Sequence, residues 1–134
     1  MNMQIYNPDT LGEPLGQYSH ITRVKCSEFL FIAGMLSADK DGNVVGAGDF
    51  DAQCRQVFGN LEAALKSAGA GFENVVQFTT YMVHSQDIQN FMAFRLREFP
   101  GMFPSGRYPP NTLLIVDRLV QEPFLVEVQA VAAL

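Results

Sequence analysis

Two hydrophobic rhythms alternate along the chain. Residues 50–68 place Phe50, Cys54, Val57, Phe58, Leu61, Ala64, Leu65 and Ala68 at the i, i+3, i+4, i+7 spacing of one helical stripe. Asp49 is suited to cap the first turn, Lys66 to sit in the last, and Gly69 to supply the stop. A second, shorter helix follows, capped by Ser85 or Asp87, with Ile88, Phe91, Met92 and Phe99 on one face and Pro100 as its terminator. Between and around these helices the pattern is that of strands. Tyr18–Val24 alternates loosely, Phe29–Ala33 is a continuous apolar run, and Val75–Val83 is rich in β-branched and aromatic residues. Thr112–Val116 and Phe124–Ala132 complete the set, while residues 1–17, with their turn formers, read as an irregular arm. Lys25–Glu28 is a loop of hairpin length between the first two strands.

The predicted order β-β-α-β-α-β-β describes one α+β domain over residues 1–134, with two helices packed on one face of a mixed sheet. In Val75–Val83 one face carries Val76, Phe78, Thr80 and Met82, and the other Val75, Thr79, Tyr81 and Val83. Both faces are largely apolar. Two helices cover one of them, so the second face needs a cover, and a further copy of the chain is the simplest.

Composition sharpens this expectation. Of 134 residues 48% are hydrophobic and 17% charged, against roughly 25% charged in an average domain. That balance excludes a disordered chain. No apolar run approaches the roughly 20 residues that span a bilayer, and no basic region precedes an apolar stretch, so neither membrane insertion nor a signal peptide is expected. Cys26 and Cys54 lack metal-ligand or disulfide spacing and read as small hydrophobes in a reducing cytoplasm. A net charge of −5 argues against nucleic acid as a partner. His20 and His84 have no partners at the spacing of a metal site or triad, and Gly42, Gly46 and Gly48 form no phosphate loop.

Four strings, in register, carry a family resemblance. Leu15-Gly16-Gln17-Tyr18, Phe31-Ile32-Ala33-Gly34-Met35, Gln53–Leu61 followed by Ala68-Gly69, and Val126–Ala132 resemble segments of the Rid family, also called the YjgF or L-PSP endoribonuclease family. The resemblance implies a chorismate-mutase-like fold assembled as a homotrimer with ligand sites in clefts between subunits. It implies hydrolysis of enamine or imine intermediates to keto acids and ammonia, with no metal and no cofactor. Glu127 matches the acidic residue that positions water, Tyr18 the pocket tyrosine and Gly34 the pocket-lining glycine.

The chain departs from the family pattern where active members place an arginine for the substrate carboxylate: that position falls on Asn111. Likewise Leu113 stands where a cysteine is common and Ala33 where a serine is. Arg107, in a proline-stiffened loop, is the leading substitute anion anchor; Arg95 and Arg118 are further candidates. Two readings therefore stand: a deaminase acting on small carboxylate-bearing metabolites, and a noncatalytic metabolite-binding or regulatory trimer.

Overall fold

The computed structural model describes residues 1–134. It contains strands β1 (Asn2–Tyr6), β2 (Ile21–Lys25), β3 (Phe29–Met35), β4 (Val75–Met82), β5 (Asn111–Ile115) and β6 (Val126–Ala133), with helices α1 (Phe50–Ser67) and α2 (Asp87–Met102). The main sheet has the order β3-β6-β4-β5, and β1-β2 forms a separate antiparallel ribbon. Pairing of β6 with β3 and β4 is antiparallel and that of β4 with β5 is parallel, so the sheet is mixed, as expected.

Helix α1 forms as its sequence dictates. The Asp49 carboxylate accepts from Ala52 N at 3.0 Å, and Gly69 follows the helix at φ +71°. Its stripe of Cys54, Val57, Phe58, Leu61 and Leu65 packs on the sheet. Helix α2 departs from expectation at both ends. Neither Ser85 nor Asp87 caps it through a side chain; the Asp87 carboxylate instead accepts from Asn90 Nδ2 at 3.0 Å. Nor does Pro100 end it. The helix runs on to Met102 and closes with Phe103 N donating to Phe99 O. Proline lacks only its own donor to the carbonyl four residues back, a loss the exposed last turn tolerates because water can satisfy that carbonyl.

Three strand expectations are corrected by the pairing. The arm of residues 1–17 begins with a strand, β1, whose Met3 and Ile5 sit opposite Val24 and Thr22. That ribbon takes the place of the hairpin expected between β2 and β3. Tyr18 lies in the loop before β2 rather than in the strand. Within one chain β3 buries a single side: Leu30 and Ile32 face the helices and pack on the core, while Phe29 is 51% and Phe31 80% exposed.

Between helices and sheet lies an aromatic core. Phe58 has ring neighbours in Phe72, Phe78, Phe91, Phe94 and Phe99, with centroids 5.5–6.4 Å away. Cys54 is sealed in it, and burial pushes its thiol pKa up, so it is an inert hydrophobe. Cys26 is half-buried rather than buried. Gln53, at 0% exposure, ties two loops to α1: its Nε2 donates to Gly46 O (3.2 Å) and Pro123 O (2.9 Å), and its Oε1 accepts from Leu125 N (2.9 Å). The opposite face of the sheet stays open, with Phe29, Phe31, Tyr81 and Leu114 among the residues the helices do not cover. No helix is long and apolar enough to cross a membrane.

Candidate functional site

Glu127 and Gly34 are brought together by strand pairing. Glu127 lies on β6 opposite Tyr81 of β4, and the register of β3 against β6 shifts between Ile32 and Met35, which carries Gly34 beneath it. The contact is close. A Cβ built on Gly34 would meet the Glu127 carboxyl, with its Cδ at 2.7 Å and Cγ at 2.8 Å. Only a residue without a side chain permits the carboxylate to lie there. The Glu127 carboxylate accepts no hydrogen bond from any side-chain or backbone donor and pairs with no cation, and desolvation raises its pKa above the ordinary carboxylate value. A half-buried carboxylate with free lone pairs and a raised pKa is a stronger base than an exposed one and can accept a proton from a water molecule or a substrate.

Tyr18 belongs to a second cluster. Its hydroxyl accepts from Leu15 N at 3.2 Å, and its ring stands edge-on to His20 at 6.5 Å. Arg95 of α2 meets the same segment: its Nη1 donates to Gln17 O at 3.4 Å and its guanidinium lies 4.7 Å from the Phe91 ring centroid. Arg95 is 4% exposed, and burial lowers its pKa to about 10. No hydrogen bond joins this cluster to Glu127 and Gly34 within the chain.

The other sequence candidates separate. Asn111 opens β5, half-buried, and its Oδ1 accepts from the Thr80 hydroxyl at 2.7 Å. Arg107 is exposed and lines a groove with Gln4, Ile5, Tyr6 and Arg23 on the β1–β2 ribbon. The loop that carries it runs toward β1 before turning into β5, so within one chain Arg107 and Glu127 are not brought together. Arg118 pairs with Glu122 at 2.9 Å and donates to Leu119 O, a local structural role.

The burial of Arg95 was the feature that sequence reasoning passed over, although a signal existed. Position 95 falls four residues after Phe91, on the stripe of α2 that also buries Phe94 and Phe99. A cation on a buried stripe is the exception that asks for a reason.

Comparison with known proteins agrees with this architecture. The sequence profile of the Endoribonuclease L-PSP family matches residues 10–134. A RutC family protein of Synechocystis is 32% identical over 135 residues, covering 100% of this chain and 98% of the relative. A RutC family protein of Pyrococcus horikoshii is 31% identical over 120 residues, covering 90% of this chain and 89% of its own. Among solved structures, the Rid family protein YyfB of Yersinia pestis superposes with a TM-score of 0.88 at 30% identity, covering 100% of both chains. TdcF of E. coli, solved with bound serine, shares the fold with a TM-score of 0.71 at 19% identity over 98% of both chains. The fold is that of the YjgF/Rid proteins, and the chain belongs to the Rid/YjgF family, also named for endoribonuclease L-PSP.

Proposed function

We propose that this protein hydrolyses imines or enamines of small carboxylate-bearing metabolites, yielding a keto acid and ammonia, in clefts between three copies of the chain. The observation that carries the proposal is Glu127, laid against Gly34 without a hydrogen-bond donor or counterion and with a raised pKa. In this reading Glu127 takes a proton from water as the water oxygen bonds to the imine carbon. Glu127 passes that proton to the imine nitrogen, giving a carbinolamine; it then takes the hydroxyl proton and passes it to the amino nitrogen as the C=O bond forms and the C–N bond breaks, so that ammonia and the keto acid leave. No metal or organic cofactor takes part. Tyr18, Gly34 and Asn111 hold the substrate, with neighbouring copies completing each cleft. The open sheet face, with Phe31 at 80% exposure, supports assembly because exposed aromatic area of this kind is usually covered by a partner. A small soluble enzyme of the cytoplasm is the setting that fits.

Ammonia release from an imine generated by an amino-acid oxidase tests the reading. The wild-type chain accelerates release over buffer, and Glu127→Gln loses about 10²-fold or more of that acceleration. Activity climbs with pH along a limb whose pKa lies above the ordinary carboxylate value, and Glu127→Gln lacks that limb. Stability moves the other way. Since the folded pKa exceeds the unfolded one, the Glu127 contribution is present below the unfolded pKa and is lost as pH rises through the folded pKa. Glu127→Gln therefore melts above wild type at neutral pH, a difference that disappears below roughly pH 4. Equal ammonia release from wild type, variant and buffer refutes the catalytic role.

A second reading is supported by Asn111, which offers an amide, already bonded to Thr80, where a carboxylate anchor would carry charge. In that reading the trimer binds a metabolite without turning it over. Carboxylate-dependent stabilisation in the absence of turnover distinguishes it.

A further inference from the structure

Arg95 is the only cation among the buried residues, and no carboxylate pairs with it. Four other basic side chains, Arg55, Lys66, Arg97 and Arg118, sit in ion pairs at the surface. A buried guanidinium commonly satisfies its five N–H donors with acceptors, because a buried charge without compensation is strongly destabilising. Here one hydrogen bond exists, from Nη1 to Gln17 O, and at 3.4 Å it is long. Nε is sealed from solvent without a partner, and Nη2 makes no hydrogen bond. These two nitrogens form one edge of the guanidinium, whose parallel N–H groups match the two oxygens of a carboxylate.

A short segment lies over this edge. Gly16 stands over Nη2, and a Cβ at that position would come within 3.3 Å of it. The cover is loosely held: Leu11–Tyr18 contributes no buried residue, and Leu15 is 83% exposed. Beside it, the Tyr18 ring meets His20, whose Nδ1 is a second sealed polar atom without a partner. The Leu15–Tyr18 segment thus lies against both the guanidinium, through Gln17 O and Gly16, and the His20 ring, through Tyr18.

We propose that the Nε–Nη2 edge of Arg95 is the carboxylate-binding anchor of this chain, reached when the Leu15–Tyr18 segment lifts, with Tyr18 completing the site. Arg95 then supplies the positive charge that Asn111, an uncharged contact, lacks. The carboxylate as ligand class rests on the reading given under Proposed function. The site itself rests on the unpaired guanidinium.

Sodium pyruvate, a small 2-oxo acid, is the probe, with sodium chloride at matched ionic strength as the control. In the wild-type protein the Nε–H resonance of Arg95, assigned by its disappearance in Arg95→Lys, moves in a saturable way with pyruvate and not with chloride. Arg95→Lys keeps the charge but loses the planar fork, and it binds pyruvate at least about tenfold more weakly. Arg95→Met abolishes the pyruvate-dependent rise in melting temperature. Should Arg95→Met fail to fold, the wild-type resonance and the lysine variant decide the matter. An unmoved Nε–H while pyruvate still stabilises wild type and Arg95→Lys equally overturns the anchor and leaves the carboxylate ligand standing. No response of the wild type to pyruvate in either measurement overturns both.

Discussion

Replacing Gly34 by alanine puts a methyl group where the Glu127 side chain now lies. The added carbon would sit 2.7 Å from Cδ and 2.8 Å from Cγ, both inside the 3.0 Å that real Cβ atoms essentially never breach. Because Cγ is among the blocked atoms, a turn of the terminal carboxyl cannot relieve the clash. The whole side chain must leave its rotamer, at about 0.5–1.5 kcal/mol. The backbone raises no objection, since Gly34 is not in the left-handed region. Alanine also narrows the unfolded ensemble, which stabilises by about 0.4–1 kcal/mol. The two effects nearly cancel, so Gly34→Ala alone shifts the melting temperature by less than roughly 4 °C.

The informative measurement is the double-mutant cycle. In a Glu127→Ala background the clash is gone, and only the favourable backbone effect of alanine remains. Gly34→Ala then stabilises, giving a coupling energy of about 1 kcal/mol between the two positions. Activity separates further. A carboxylate displaced by about 1 Å loses roughly 10²-fold in rate, so Gly34→Ala approaches the ammonia release of Glu127→Gln although its stability is near wild type. The argument fails if Gly34→Ala changes the melting temperature equally in both backgrounds, or if the single variant retains wild-type turnover.

Two other perturbations test the framework around the site. Gln53→Leu leaves Pro123 O and Leu125 N without partners, and Gly46 O with only Asp49 N, around a side chain of 0% exposure; thermal or denaturant unfolding shows a loss of about 3 kcal/mol, and a loss under about 1 kcal/mol means water replaces the side chain. Phe31→Asp places a charge on the open sheet face; the proposed assembly of wild type, seen by sedimentation, gives way to a monomer that circular dichroism shows folded, and a variant that assembles like wild type refutes this face as the interface.

The elements that the sequence made legible are those whose signal is local. The α1 stripe, its Asp49 cap and Gly69 follow from spacing and side-chain chemistry alone, since a helix satisfies its own backbone. The match of Glu127 and Gly34 to the family pattern was likewise readable, because both sit in short strings of fixed register. Legibility ended where a residue depends on distant chain. Pro100 inside α2 and the β1–β2 ribbon were missed because an exposed last turn tolerates a missing donor, and because strand partners are chosen by packing rather than by loop length.

The candidate site shows the same division. The residue types present, an unusual glutamate in an apolar strand and a cation on a buried stripe, are properties of the sequence. That Glu127 lies on Gly34 was decided by a register shift in β3 against β6, some ninety residues apart in the chain. That Arg95 rather than Arg107 is the desolvated arginine was decided by which helix face met the sheet and where the loop from α2 to β5 ran. Charge is written in sequence, but the desolvation that gives it chemical consequence depends on neighbours, and neighbours are assigned only by tertiary structure.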